Sequence, residues 1–208
     1  MSDSWIFILG LALMFVLGAV IGRRLGPEYR SRLRPSIQTT AAATAFYWLH
    51  FGLVVLAAVE STWHFRLLTP VAVGGGIALI AAGAAVYLSA TYVFGFKRQL
   101  GLDTTRLVTE GVYRWSRNPL FVGWALVLVG VGLVRESGMV LLLTLVFWVS
   151  YRLSLPLEEQ LLGRLYGEAY EAYRRRTHRY LGPPGRAAET PPNDLRLCVT
   201  RSSDKKRC

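Results

Sequence analysis

The fold follows from the stretch Leu107 to Trp124, LVTEGVYRWSRNPLFVGW, which sets a polar segment between long apolar runs. Polar groups are costly in a membrane bundle, so a cluster of them at its edge predicts a functional site. Gly111 permits a sharp turn, and Pro119 suits the first position of the following helix. Asn118 is disfavoured in helical angles and can cap that helix. The start of a helix suits an anionic ligand group.

Two arginines in this stretch, Arg114 and Arg117, add positive charge to the helix start. An alternative explanation is a juxtamembrane loop whose arginines bind lipid headgroups. In that case Tyr113 and Trp115 belong to the aromatic belt at the membrane interface. The stretch alone leaves both explanations open.

The composition points to an all-α integral membrane bundle of about five transmembrane helices. Of 208 residues, 52% are hydrophobic and 18% charged, and the apolar ones fall in blocks of membrane-spanning length. We expect an N-terminal region, 1–96, with helices at about 5–22, 41–60 and 71–94. The region 97–181 carries a helical hairpin of 119–134 and 139–155, whose first arm is only about 24 Å long.

Beyond the hairpin, the apolar residues of 157–176 recur at helical spacing, which predicts a cytoplasmic amphipathic helix. The segment 182–208 is rich in proline and polar residues, which predicts a disordered tail. Both cysteines, Cys198 and Cys208, lie in this tail and offer neither a disulfide framework nor a metal-binding pattern. We therefore expect no metal site.

The basic residues indicate how the chain crosses the membrane. With five crossings, 22 of the 24 lysines and arginines lie on one side. The positive-inside rule then places the N-terminus outside and the C-terminus in the cytoplasm. The net charge of +11 is explained by the anionic inner leaflet, so no nucleic-acid partner is expected.

An acidic pair, Glu158 and Glu159, follows the hairpin. One carboxylate could bind a ligand ammonium or ribose hydroxyls while the other pairs with an arginine. Alternatively, both lie in the first turn of the amphipathic helix, where the helix dipole favours acidic residues. His50, within the second apolar run, has no partner at metal-ligand spacing and is expected to be a satisfied interior histidine.

Together these pieces resemble a known family. The combined pattern consists of Leu-Val-Thr-x-Gly-x-Tyr-x-x-x-Arg-(His/Asn)-Pro-x-(Tyr/Phe)-x-Gly, two apolar runs, Glu-Glu and a Tyr-Gly-Glu-x-Tyr-x-x-Tyr stretch. It is similar to that of the isoprenylcysteine carboxyl methyltransferase and phospholipid methyltransferase group. These are integral membrane enzymes that use S-adenosylmethionine. The resemblance covers roughly residues 97 to 181 and rests on 107–123, Glu158-Glu159 and 166–173.

The resemblance implies a cofactor pocket closed from the cytoplasm by the last helix and lined by Leu107, Val108, Tyr113, Asn118, Pro119, Leu120, Phe121 and one or both of Glu158 and Glu159. Asn118 stands where the family most often has histidine, and Phe121 where it has tyrosine. Ser154 occupies the place of an arginine that suits a substrate carboxylate in the carboxyl methyltransferases. Arg117 and the nearby Arg152 are the remaining candidates for positioning the substrate.

The implied reaction is methyl transfer from S-adenosylmethionine to a carboxylate, thiol or amine of an isoprenoid or lipid at the cytoplasmic membrane face. The partners are then a lipophilic small molecule or lipid and the bilayer itself. One alternative is an NADPH-dependent membrane reductase of sterols or fatty chains, which shares the Arg-(His/Asn)-Pro and Gly-Glu-x-Tyr pattern. Another is a non-catalytic membrane bundle.

Overall fold

The chain folds into an all-α bundle, as the composition predicts. A computed structural model describes residues 4–60, 62–66, 69–95 and 106–185, and no β-strand occurs within these ranges. The helices are α1 (Ser4–Arg32), α2 (Ile37–Glu60), α3 (Thr69–Phe94), a 3₁₀ turn (Gly111–Arg114), α4 (Pro119–Val134), α5 (Gly138–Tyr166) and α6 (Glu168–Arg176).

Four of these helices are long and apolar enough to cross a membrane, namely α1, α2, α3 and α5. Helix α4 is shorter, with 16 residues, and spans about 24 Å. The chain is therefore an integral membrane protein with four full-length helices and one shorter helix, which packs against α3 and α5. Connections alternate between the two ends. The end of α3 and the second half of α5 meet the start of α4, and the extension of α1 packs on that half of α5, at what we call the site end.

Helices α3 and α4 approach closely because glycines face each other across their interface. A Cβ atom at Gly83 would lie 2.6 Å from the carbonyl oxygen of Gly123, and one at Gly130 would lie 2.6 Å from that of Gly76. Each pair is one heptad from the other along both helices. Small residues at such positions let membrane helices pack backbone against backbone.

The main core lies between α1, α2, α4 and α5. It consists of aromatic, aliphatic and methionine side chains, which are Phe7, Met14, Phe46, Leu53, Val54, Ala57, Phe121, Leu128, Met139, Val140, Leu143 and Phe147. His50 lies in this core with its Nε2 3.0 Å from the carbonyl oxygen of Leu143. It is thus a satisfied interior histidine, as predicted.

At the end opposite the site, the turn between α4 and α5 is fixed by Ser137. Its side chain accepts from the amide of Val140 and donates to the carbonyl oxygen of Thr62 at 2.8 Å. His64 lies 3.6 Å from Glu136 across the same junction. The α2–α3 connection therefore holds the base of the α4–α5 hairpin.

Two helices extend beyond their predicted ends. Helix α1 continues to Arg32, where 22 was expected, and α5 continues through Pro156 to Tyr166. The extensions contact each other, with the Arg164 guanidinium donating to the carbonyl oxygen of Arg30 at 3.3 Å. This contact explains why polar sequence stays helical past the apolar runs.

The expected single amphipathic helix at 157–176 is wrong. Its first half belongs to α5, and the chain breaks at Gly167, whose φ of 52° is left-handed. Such a residue ends a helix, so α6 begins as a separate helix at Glu168. Most of the predicted disordered tail lies outside the described residues. Its first part, 182–185, is hydrogen-bonded through both glycine amides.

Candidate functional site

The stretch after α3 turns sharply at Gly111, as predicted. Its φ is +58°, and a Cβ atom there would lie 2.9 Å from the Val93 side chain. The 3₁₀ turn places the Tyr113 ring against Phe94, with centroids 5.8 Å apart. Val108, Leu120 and neighbouring apolar groups complete this small cluster, which we call the Tyr113 cluster.

Asn118 occupies the N-cap position of α4, with Pro119 at the first helical position. The predicted capping by its side chain is wrong. Its Oδ1 instead accepts from the Tyr151 hydroxyl at 2.8 Å, and its Nδ2 donates to the carbonyl oxygen of Arg179 at 2.9 Å. The amide thus joins α4, α5 and the segment after α6, and these bonds fix its orientation.

Glu159 on α5 is the electrostatic centre of the site. Its carboxylate is 9% exposed and accepts two hydrogen bonds from Arg179, at 2.6 and 3.1 Å. Arg117 forms a second ion pair with it at 3.0 Å. The predicted pairing of one glutamate with an arginine is therefore present twice, on the same carboxylate.

Arg117 retains hydrogen-bonding capacity. Its side chain is 10% exposed, and its approach to Glu159 is ionic without hydrogen-bond alignment. Nε and Nη1 are buried with no hydrogen-bond partner among the described residues. Buried donors of this kind are rare in folded proteins, and they mark a place where a carboxylate or phosphate could bind.

Aromatic rings line the apolar side of the site. Phe121 stacks on Tyr151 with centroids 3.9 Å apart and lies 4.9 Å from Trp148. Tyr180, from the segment after α6, packs against Trp148 in a tilted arrangement with ring centroids 5.1 Å apart. Its hydroxyl is buried without a partner in the described structure. Polar and aromatic groups therefore meet at the start of α4.

The segment 177–182, which we call the strap, covers the site. The amide of Arg117 donates to the carbonyl oxygen of His178 at 2.9 Å, and that of Gly182 donates to Trp115 at 3.0 Å. Below the strap, the Tyr173 hydroxyl of α6 donates to the carbonyl oxygen of Tyr113 at 2.8 Å. Helix α6 and the strap are thereby tied to the loop before α4.

Burial sets the protonation of the groups around the loop. It raises the pKa of Tyr113 and of Tyr173 well above the usual range for a phenol. Both therefore remain neutral at physiological pH, and Tyr173 remains a donor. Hydrogen bonds to Glu159 raise the pKa of the Arg179 guanidinium, so this cation is permanent.

The structure brings together only some of the predicted residues. Arg117, Asn118, Pro119, Phe121 and Glu159 share one site at the start of α4. The other predicted residues surround it less directly: Val108, Tyr113 and Leu120 belong to the Tyr113 cluster, Leu107 is half-buried, Glu158 is half-buried beside Glu159 and interacts electrostatically with Tyr151, and Arg152 is exposed.

Three residues of the site were not predicted from the sequence: Tyr151, Arg179 and Tyr180. Tyr151 offered a signal, since a tyrosine near the end of an apolar run often carries a hydrogen bond. Arg179 followed three arginines and a histidine, a context that favours an exposed surface. Its partner Glu159 is 20 residues away on α5, and no local pattern indicates that contact.

Most of the site lies within a region that known proteins share. Residues 71–169, just under half of the chain, match the family described as phospholipid methyltransferase. Over these residues the chain is similar to this family. The match contains α4, most of α5 and the Glu158-Glu159 pair, while α6 is only partly included and the strap lies beyond it. This similarity favours a methyltransferase over the reductase and the non-catalytic bundle.

Several curated proteins are similar to this chain over part of its length. A probable protein-S-isoprenylcysteine O-methyltransferase of Oryza sativa subsp. indica is 32% identical over 77 residues, 36% of this chain and 40% of the relative. That of Schizosaccharomyces pombe is 32% identical over 71 residues, covering 34% and 30%. That of Mus musculus is 38% identical over 77 residues, covering 36% and 26%.

The chain thus spans 40% or less of the length of these curated relatives. No solved structure matches it.

Proposed function

We propose that the protein transfers a methyl group from S-adenosylmethionine to a lipophilic acceptor at the cytoplasmic face of the membrane. The observation that carries this proposal is the convergence of Glu159, two guanidinium groups and Asn118 at the start of α4. Glu159, Arg117 and Asn118 lie beside a stacked aromatic wall and inside the region that matches the methyltransferase family, whereas Arg179 lies beyond that region.

The residues present fit this cofactor. Arg117 has two buried nitrogens without aligned partners, which suit the carboxylate of the methionine moiety. Carboxylates at Glu158 and Glu159 suit its ammonium group or ribose hydroxyls. The rings of Phe121 and Tyr151 suit a flat adenine or a cationic sulfonium.

S-adenosylmethionine, when bound, supplies an electrophilic methyl group. The chain's own contribution is positioning and exclusion of water. The hydrogen bonds of Tyr151 and Arg179 fix the Asn118 amide, and the strap shields Glu159 from solvent. Correct alignment of two reactants in a dry site accounts for a large part of the acceleration of such bimolecular reactions.

The acceptor is proposed to be lipophilic because the site lies at the end of apolar helices. Phe121 and Trp148 continue the site into the membrane-facing part of α4 and α5. At position 154 the resemblance to the carboxyl methyltransferases would place an arginine. This chain has a serine there, and its hydroxyl donates to the backbone of its own helix. Arg152 is exposed, so the described site offers no arginine at that place.

The orientation of the chain is also a proposal. Three groups of arginines lie at the site end: those in the extension of α1, those in the loop before α4 and those of α6. The positive-inside rule places this end in the cytoplasm, where a water-soluble cofactor is available.

Calorimetric titration of the purified protein in detergent tests the proposal. We expect S-adenosylmethionine and its demethylated product to bind, and Glu159→Gln to weaken binding by roughly ten- to hundredfold, because a charged hydrogen-bond acceptor is lost. Glu171→Gln is the matched control, since Glu171 forms an exposed pair with Arg174 outside the site. Absence of binding to a well-folded unmodified protein would refute the proposal.

Labelled methyl transfer then identifies the acceptor. Membranes containing the protein are incubated with cofactor tritiated in its methyl group, and the lipid extract is separated by head group. We expect label in an extractable lipid or isoprenoid and none in a Glu159→Gln sample. Label that is independent of Glu159 would exclude this site as the source of activity.

A further inference from the structure

The strap makes contacts of three kinds with the site. Arg179 forms a bidentate pair with Glu159, and its carbonyl oxygen accepts from Asn118. Two backbone hydrogen bonds join the strap to the loop before α4, and Tyr180 packs against Trp148. Together these contacts hold the strap over the groups that we propose bind the cofactor.

The two arginines on Glu159 differ in freedom. Arg117 is 10% exposed and is held by the loop at the start of α4, whereas Arg179 is 34% exposed and lies in an extended segment after α6. Gly167 separates α6 from α5 at a non-helical residue. Opening of the strap breaks its hydrogen bonds to the Arg117 amide and the Asn118 side chain, whereas the helical hydrogen bonds of α5 do not depend on the strap.

Charge compensation constrains how Glu159 can receive a ligand. The carboxylate is buried, and two guanidinium groups already neutralise it. Both oxygens of Glu159 already accept from Arg179, so a cationic ligand group that takes both must displace the Arg179 guanidinium. Arg117 alone then compensates the carboxylate, and the arriving cation restores its second partner.

We propose that the strap is a gate over the cofactor site, and that Arg179 is the internal counter-ion that holds it shut until a cationic ligand group takes its place on Glu159. The ligand class is an ammonium or sulfonium cation. This inference rests on the proposed function, since it takes the cation to belong to S-adenosylmethionine. Arg179 is then a positioning residue, with Arg117 remaining as the permanent partner of Glu159.

Hydrogen exchange measured by mass spectrometry on the full chain in detergent tests the gate without any cofactor. Arg179→Gln removes the guanidinium but keeps a similar length. We expect exchange at the amides of Gly182 and Arg117 to rise about tenfold or more, because both amides depend on the closed strap. Arg174→Gln, which removes a partly exposed charge from α6, is expected to leave this exchange unchanged.

Stopped-flow tryptophan fluorescence then tests the role of the gate in binding. Trp148 packs against Tyr180, so its emission reports opening of the strap. Association of S-adenosylmethionine is expected to be roughly tenfold faster in Arg179→Gln than in the unmodified protein, and intermediate in Arg179→Lys, which keeps the charge but loses the bidentate contact.

The outcomes separate the gate from the cofactor assignment. Unchanged exchange at Gly182 in Arg179→Gln would overturn the gate. Faster exchange with equal association rates would also overturn it, since the strap would then lie off the entry route. Faster exchange with no cofactor binding in any variant would support the latch formed by Arg179 while refuting the proposed function.

Discussion

The close approach of α3 and α4 gives the sharpest test of the fold, through two glycines on one helix. Gly83 faces α4, where an added Cβ atom would lie 2.6 Å from the carbonyl oxygen of Gly123 and 2.8 Å from the amide nitrogen of Val127. Gly75, eight residues earlier, has nothing within 4 Å of such an atom. Gly83→Ala and Gly75→Ala are therefore chemically identical changes in different surroundings.

The two substitutions share one effect and differ in another. Each replaces glycine by alanine within a helix, which favours the helix by up to about 1 kcal/mol. Only at Gly83 does the methyl group meet backbone atoms, which cannot rotate away, so α3 and α4 must separate. Overpacking of this kind costs about 1–3 kcal/mol. Because the shared effect cancels, the difference between the variants measures the cost of the close approach.

Thermal unfolding in detergent, followed by circular dichroism, compares the two variants with the unmodified protein. A free-energy difference of 1 kcal/mol corresponds to a Tm difference of about 2–4 °C for a chain of this size. We expect Gly75→Ala to match or exceed the unmodified protein and Gly83→Ala to fall below both. Equal Tm values for the two variants would show that α3 and α4 are not packed backbone against backbone at Gly83.

Substitutions at three further residues test the site. Tyr173→Phe deletes the hydrogen bond to the Tyr113 carbonyl and should lower stability by about 1 kcal/mol in the same unfolding assay; an unchanged Tm would mean that this bond contributes nothing. Phe121→Ala removes a buried stacked ring and should cost about 3–5 kcal/mol, whereas a loss below 1 kcal/mol would contradict its packing. Asn118→Ala should weaken cofactor binding in calorimetry about tenfold, because the Tyr151 hydroxyl loses its acceptor, while Asn118→His, which offers both an acceptor and a donor, should stay within about threefold; equal losses in the two would contradict the bonding role of Asn118.

The sequence predicts the bounds of α4 well because physical signals coincide at both ends. Asn118-Pro119 favours a helix start, and the charged Arg135-Glu136 follows the last apolar residue. Where no such signal exists, the prediction is less accurate. Helix α1 continues ten residues past its apolar run because its polar extension packs against α5, a contact that a hydropathy pattern does not contain.

From the sequence one can predict that a glutamate pairs with an arginine, but not which glutamate or which arginine takes part. An acidic pair after a hairpin and two arginines before it have complementary charge, so some pairing at the site end follows from the topology. Which glutamate takes part depends on rotation of α5, and the structure selects Glu159 over Glu158. That choice depends on packing of the whole helix and has no local sequence signal.

The departure from the family at position 118 has a structural explanation that limits its consequences. Both polar atoms of the Asn118 amide are used, one by Tyr151 and one by the backbone of Arg179, so its role here is to join α5 and the strap to the start of α4. A residue with that role needs one acceptor and one donor at fixed positions and needs no titrating proton. Neutral histidine and asparagine both meet this requirement. The substitution is therefore compatible with a functional site, whose charge requirements fall on Glu159 and Arg117.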